Sequence, residues 1–480
     1  MHDSDWIDLD RLVEDAMKCW GIPGLAVAVV QDDEVILLKG YGVRELGANA
    51  PVTCDTQFMI CSLTKSITAA GLALLVDEQR LDWETRVREI LPEFQLCDAA
   101  ASEAITISDL LTHRSGLPRH DRIWSPPGRR SRERILEAMR YLEASRKLRE
   151  AYQYSNLGYV VAGMVAERLS GQAWEEFTAQ RLLLPLGFSN FGFSTEALES
   201  SIDHAHPYGL DGRDIYREVL WPMHAAPAGG ITASVGDMAR WLRFLLSRGR
   251  ANDKQLVSVA GVNAMMTPRV DVGDSEFTGI GRSQYGYGLE SALYRGDRSV
   301  FHTGSLPGWA TLVSMLPDRG IGVVVLTNRD PCSVRELIAY AVFDRLRSLP
   351  PINWLEIFQI KRQKHLEEKA RTRGFEVPGV SALLFGEPPC DFAGEYEHPA
   401  YGCISIVQTA SEARWAWRGL SGVLVYRGGN SFQLKEDGIP RYASGIPILF
   451  ERNAEGLVDR LRSPLEPAVS DIVFQRQLAG

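Results

Sequence analysis

The sequence predicts an α+β region followed by a small antiparallel β-barrel, and three observations predict it. Strand-like runs occur near both ends of the first 350 residues with a long helical region between them, as when one sheet is assembled from the two ends of a domain. A charged, helix-patterned stretch follows, from Trp354 to Arg373. After Pro388-Pro389 the composition shifts to short alternating runs separated by turn residues. The expected divisions are a first domain over 1–350, a helical linker over 351–380 and a barrel over 381–480.

Each element has a local reason. Ile7, Leu9, Leu12, Val13 and Met17 fall at helical spacing, and Gly21-Ile22-Pro23-Gly24 stops that helix. Leu25 to Val30 and Val35 to Tyr41 read as two strands of a hairpin around Gln31-Asp32-Asp33-Glu34. Gln57 to Thr68 runs into the apolar stretch Ala69 to Val76, which suits a buried helix and is too short for a bilayer. Helical patterning continues to residue 190 or so, broken by loops at 112–130 and 152–158. Ser299 to Gly304, Trp309 to Leu316 and Ile321 to Thr327 read as three successive strands, with Pro317-Asp318-Arg319-Gly320 as a tight turn. A helix over 332–347 ends before Pro350-Pro351, and Trp354 to Arg373 reads as a spacer helix. Barrel strands are expected near Ile404, Trp415-Ala416-Trp417, Val423 to Tyr426, Ile448 to Glu451 and Ile472 to Gln475.

Composition narrows the function. Hydrophobic residues make up 45% of the 480 and charged ones 24%, the balance of a globular chain. A net charge of −9 argues against nucleic acid as a partner, and Arg129-Arg130-Ser131-Arg132 reads as a solvated basic loop or helix start. Met1 to Trp6 is acidic and lacks a signal-peptide core, and no run is long enough to cross a membrane; a cytoplasmic protein without a membrane partner is expected. Seven cysteines, scattered from Cys19 to Cys403, fit reduced thiols, and none is paired at metal-knuckle spacing.

Three stretches carry chemistry. Ser62 stands where the apolar helix begins, and Lys65, three residues on, shares its face. A serine hydroxyl is a weak nucleophile until a base takes its proton, and a lysine held against apolar surface can serve. The plainer reading is an N-cap serine with a surface lysine. In Tyr152-Gln153-Tyr154-Ser155-Asn156, Tyr154 as a stabilised phenolate is a competent base, and Asn156 either binds a substrate carbonyl or caps the next helix. In His302-Thr303-Gly304-Ser305, a small hydroxyl and a glycine on an edge-like strand let a substrate backbone lie alongside. The N–H groups of Ser62 and Ser305 are candidates for an oxyanion hole.

Ser62-Leu63-Thr64-Lys65, Tyr154-Ser155-Asn156 and His302-Thr303-Gly304 resemble, in order and spacing, the three motifs of the serine beta-lactamase-like proteins. That group holds penicillin-binding proteins, class C beta-lactamases, D-aminopeptidases and related esterases. Leu110 to Pro118 and Ala228-Gly229-Gly230-Ile231 are similar to family text as well, and the resemblance covers roughly 5–348. Gly394 to Gly402 resembles the lipocalin-like C-terminal domain of some members. The resemblance implies an antiparallel sheet flanked by helices, a helical subdomain and a metal-free site without cofactors. It implies Ser62 as the acylated nucleophile, Lys65 and Tyr154 sharing proton transfer, and Asn156, His302, Thr303 and Gly304 binding substrate. Beta-lactamases usually carry lysine where this chain has His302, and a mostly neutral imidazole suits a carboxylate less well.

The expected function is therefore hydrolysis of an amide or peptide bond in a small molecule or short peptide, as in D-aminopeptidases. Carboxylesterase or weak beta-lactamase activity on the same site is the alternative, and a non-catalytic acyl-accepting sensor or scaffold is a second. A metal site built from His204-Ala205-His206 with His113, His120 or His224 lacks an acidic ligand motif, and no Gly-x-Ser-x-Gly marks an α/β-hydrolase. Substrate choice is expected from loops 112–130, 204–230 and 270–288, and the barrel is expected to shape access and to build a homo-oligomer.

Overall fold

The strand Gly24–Gln31 is buried from Gly24 to Val30 because it has a partner on each side. Glu34–Gly42 pairs with it across a two-residue turn in which Asp32 (φ 49°) and Asp33 (φ 69°) take the left-handed conformation that matches strand twist. On its other side runs Ile321–Thr327, in the register Val27↔Val325. The sheet continues antiparallel through Trp309–Leu316, Asp297–Leu306, Glu290–Tyr294, Arg282–Tyr285 and Val270–Asp274, eight strands in all. These coordinates are a computed structural model that describes residues 6–124, 131–211, 214–220, 223, 225–274, 281–330, 332–373, 390–408, 412–437 and 443–477. Arg129, Arg130, His224 and Pro388-Pro389, singled out in the sequence, lie outside the described residues, as do 125–130, 212–213, 221–222, 224 and 275–280 of the three loops expected to line the pocket.

Strand alternation sorts the layers. Leu25, Val27 and Val29 pack into one core with Val13 and Trp20 of the helix Ile7–Trp20 and with Val334, Leu337 and Ile338 of the helix Val334–Leu346. The intervening residues Ala26, Ala28 and Val30 turn to the opposite face, where the amphipathic helix Val235–Leu246 packs. Leu242 of that helix fills the space above Gly322, where a Cβ would meet its Cδ1 at 2.6 Å.

The chain divides into two compact units. One holds 1–92, 105–114 and 157–366; the other holds 93–104, 115–156 and 367–480. The helix Trp354–Arg373, read from sequence as a spacer, has its first half built into the core of the first unit. Trp354 and Phe358, one turn apart, are buried against Tyr294 and Tyr340, and Trp354 Nε1 donates to Asp344 Oδ2 at 2.8 Å. Gln359 and Arg362 hydrogen-bond to Cys19. The second unit contains the closed barrel of eight successive antiparallel strands, from Gly394–His398 to Ile472–Arg476, sealed by Tyr396↔Arg476 and Glu397↔Gln475. Its interior is filled by Tyr396, Ile404, Trp415, Trp417, Phe432, Phe450 and Phe474, each at most 3% exposed, so side chains occupy the lumen. Among the described residues no helix is long and apolar enough to cross a membrane.

If the linker helix belongs to the first core, Phe358→Ala should lower stability by about 3–5 kcal/mol, the usual cost of truncating a buried phenylalanine. Denaturant unfolding of the full chain measures this; a change under about 0.5 kcal/mol is what an exposed spacer would give.

Candidate functional site

Ser62 does not open the long helix directly. It sits in a 3-10 turn, Cys61–Leu63, from which the helix Thr64–Asp77 continues, and Cys61 enters that turn with φ at 53°. A non-glycine residue held there stores strain that only firm surroundings maintain. The surroundings are firm: Ile60 N–H donates to Ile231 O at 3.0 Å, Ile60 O accepts from Thr311 Oγ1 at 2.9 Å, and Cys61 is 1% exposed. The helix beyond is apolar almost all round, as a helix buried on every side must be.

Lys65 is fully buried. Its Nζ lies 3.1 Å from Ser62 Oγ, donates to Ala228 O at 2.7 Å and stands 5.5 Å from the centroid of the Tyr159 ring. The segment around Ala228 is laced to the same helix: Thr68 Oγ1 donates to Pro227 O, and Ile231 N–H donates to Thr64 Oγ1. The carbonyl of Ala228 is a partner of Lys65 that the sequence reading missed. Its only signal was the family-like phrase Ala228-Gly229-Gly230-Ile231, to which no role was attached.

The His302 strand meets the Ser62 turn at Gly304, where a Cβ would come within 2.6 Å of Ile60 O and 2.8 Å of Cys61 Cβ. Only glycine allows so close an approach. The strand, expected to be edge-like, is so in one half. Val300 and Phe301 pair on both sides, whereas His302–Leu306 pairs with Val313–Trp309 and has no second strand among the described residues. Thr303 is half-buried and Ser305 exposed on this open stretch, and Ser305 Oγ donates to Asp330 Oδ1 at 2.5 Å. Behind it, buried Arg335 donates to Gly304 O at 2.6 Å and pairs with Glu336 at 2.7 Å.

His302 itself is 2% exposed. Nδ1 lies 2.6 Å from Thr303 O, which can only accept, so Nδ1 carries the proton. Nε2 then accepts from the Tyr285 hydroxyl at 2.8 Å. Burial, and next the charge of Lys65, hold its pKa down at about 3, so the imidazole is neutral. His113, weighed in the sequence as a metal-ligand candidate, packs its ring 4.8 Å from Tyr285 and 5.4 Å from Tyr159.

Tyr154 and Asn156 belong to the second unit. Tyr154 is half-buried in the loop before the helix Asn156–Ser170, with the Arg119 guanidinium 5.3 Å from its ring centroid. Asn156 is buried and its Nδ2 donates to Asp121 Oδ1 at 3.0 Å. Arg119 and Asp121 were not singled out in the sequence. His204 and His206 face each other at 4.6 Å, His204 Nδ1 donating to Ser201 O at 2.6 Å and His206 lying 3.6 Å from Glu45; among the described residues no group of three or more His, Cys, Asp or Glu is gathered as a metal ligand set.

The family model described as Beta-lactamase matches residues 9–346. Unguisins hydrolase ungD' of Aspergillus campestris is 30% identical over 427 residues, covering 83% of this chain and 77% of that protein. Penicillin-binding protein 4 of Amycolatopsis lactamdurans is 29% identical over 311 residues, covering 64% of this chain and 81% of that protein. The solved structure of the octameric penicillin-binding protein homologue from Pyrococcus abyssi superposes with a TM-score of 0.66 at 23% identity, over 99% of this chain and 100% of that one, a likeness of fold.

The depressed His302 pKa has a sign that can be checked. Between the ordinary 6.5 and about 3 the unfolded chain takes up a proton that the native site refuses. Stability is therefore lost as pH falls through that window, by about 1.4 kcal/mol per pH unit at most. Glu290, raised to about 7 by burial, acts oppositely between 4.5 and 7, and is common to both proteins compared. Denaturation curves from pH 6.5 to 4 should fall less steeply for His302→Asn than for wild type; equal slopes would mean that the imidazole is protonated in the fold.

Proposed function

The chain belongs to the beta-lactamase family, and on that premise we propose that it is a serine hydrolase cleaving an amide or peptide bond through an acyl-enzyme on Ser62, in the manner of a D-aminopeptidase or related peptidase. One observation carries the reading: a fully buried Lys65 Nζ at 3.1 Å from Ser62 Oγ. An amine so placed can take the hydroxyl proton as Oγ attacks, with Tyr154 as its partner in proton transfer, and the pair titrates as a unit. The proton then goes to the departing amine, and water attacks the ester to regenerate Ser62.

The strand supports the same assignment. Leu306 and Trp309 close a two-residue turn, and alternation along an antiparallel ladder then aims the Ser305 N–H at the open side, as an oxyanion donor beside the Ser62 N–H. A substrate backbone adds along His302–Leu306, with Thr303 and Gly304 beside it and Asn156 orienting its amide. The neutral, buried His302 offers no fixed cation for a carboxylate, which favours peptide amides over penicillins. The relative named Unguisins hydrolase supports a hydrolase. Beta-lactam acylation with slow turnover is the second reading, favoured by the relative named Penicillin-binding protein 4.

A panel of D- and L-aminoacyl amides, acyl esters and nitrocefin tests this. Aminoacyl amides should turn over, nitrocefin poorly, and Ser62→Ala should lose about 10³-fold or more in kcat. Efficient nitrocefin hydrolysis with inert amides would reverse the order of the two readings, and labelling of Ser62 without any turnover would make the protein a sensor. The homo-oligomer expected of the barrel belongs to the same proposal: light scattering should give a mass above the 53.4 kDa of one chain, and a monomer would remove it.

A further inference from the structure

The two polar residues of Tyr154-Ser155-Asn156 are tied to a single carboxylate. Asp121 Oδ2 accepts from Arg119 Nε at 2.6 Å, and Asp121 Oδ1 accepts from Asn156 Nδ2 and from Trp124 Nε1, each at 3.0 Å. Arg119, fixed in this way, lies 5.3 Å from the Tyr154 ring centroid. A guanidinium over a phenol ring is attracted to its face, and more strongly when the oxygen is ionised. One side chain thus sets the orientation of Asn156 directly and the cation beside Tyr154 at one remove.

Between Arg119 and Asp121 stands His120, and it is gripped from the barrel. Its backbone is left-handed, φ 44° and ψ 35°, a conformation that a residue with a Cβ keeps only where its surroundings over-determine it. The His120 N–H donates to Glu466 Oε2 at 2.7 Å. Nε2 lies 2.8 Å from Glu143 O, an acceptor only, so Nε2 carries the proton and Nδ1 accepts from the Tyr401 hydroxyl at 2.8 Å. Burial lowers the His120 pKa, which keeps that tautomer neutral. Tyr401 and Glu466 come from two separate connections of the barrel, before Gly402–Gln408 and after Val458–Ser463, and both are buried. Tyr401 is held in turn by Trp417 Nε1, which donates to its carbonyl at 3.0 Å, and Arg418 donates to Arg122 O.

We propose that the barrel is the positioning element for the Tyr154–Asn156 half of the site: Tyr401 and Glu466 hold His120 left-handed, and that backbone sets Arg119 over Tyr154 and Asp121 against Asn156. Tyr401, Glu466, His120, Arg119 and Asp121 are positioning residues in this scheme. It rests on the reading of Tyr154 as partner of Lys65 in proton transfer. A barrel docked on this turn only for cohesion would share the hydrogen bonds and would not transmit them to the chemistry.

The experiment uses the full chain and a fluorophosphonate that labels Ser62, so no substrate need be known. Tyr401→Phe and Glu466→Ala should each slow labelling about tenfold without change in melting temperature beyond a few degrees, and Glu466→Gln, which keeps an acceptor for the His120 N–H, should recover most of the loss. In a Tyr154→Phe background, Tyr401→Phe should cause no further slowing, because the fluorophosphonate has no amide for Asn156 to orient and the effect on its labelling passes through Tyr154. If Tyr401→Phe gives little folded protein, Arg119→Gln, whose side chain is 56% exposed, carries the same test with the same expected loss and the same absence of effect in Tyr154→Phe. Labelling within twofold of wild type for these variants, or an equal loss in both backgrounds, overturns the proposal. Wild-type labelling in Tyr154→Phe or in Ser62→Ala would instead overturn the underlying reading, so the two failures are distinguishable.

Discussion

The burial of the Lys65 amine against the Ser62 hydroxyl is the constraint around which the first unit is arranged. An ammonium taken out of water loses several kcal/mol of hydration unless polar groups replace it. Here the replacements are the Ala228 carbonyl, the Ser62 Oγ and the face of Tyr159. None of the three is negatively charged. Together they hold the amine beside the hydroxyl it touches. The segment carrying Ala228 is bonded to the helix at Thr64 and Thr68, so the acceptor cannot drift from the donor.

The strand beside it combines two demands that usually conflict. Rigidity comes from pairing at Val300 and Phe301, from buried Arg335 and Glu336 behind Gly304, and from the half-buried Asp330 that holds Ser305. Accessibility comes from the end of the neighbouring strand at Glu290, beyond which, among the described residues, the ladder is open on one side. A buried neutral histidine completes the arrangement by bracing the strand through Thr303 O and Tyr285 without adding charge.

Much of this was legible in the chain. The apolar run Leu25 to Val30 read as one strand of a hairpin, to which the fold adds a second partner, and the alternation around Trp415 and Trp417 read as a strand of a small barrel. The spacing of Ser62 and Lys65 put them on one side of a turn whichever helical type formed. The linker helix was harder to read, because its charged exposed residues outnumber the few, Trp354 and Phe358 above all, that enter the core. Backbone acceptors such as Ala228 O have no residue signature at all. Arg119 and Asp121 are separated from Tyr154 by more than a helix of intervening chain, in a turn whose local pattern is merely polar. Only the fold brings them together, and a single sequence contains no signal for such a meeting. The burial of His302 was hidden for the same reason, since its depth depends on Tyr285 from another strand.

The pairing of Val27 with Val325 has a cost that is paid during synthesis. The hairpin formed by Gly24–Gln31 and Glu34–Gly42 leaves the ribosome early, but the strand that covers its greasy flank is encoded roughly 300 residues later. At translation rates of about 5–20 residues per second, that flank waits roughly 15–60 s without its neighbour. A nascent chain of this design needs shelter through that interval, and the cell's holdases are what an unpaired valine ladder would recruit.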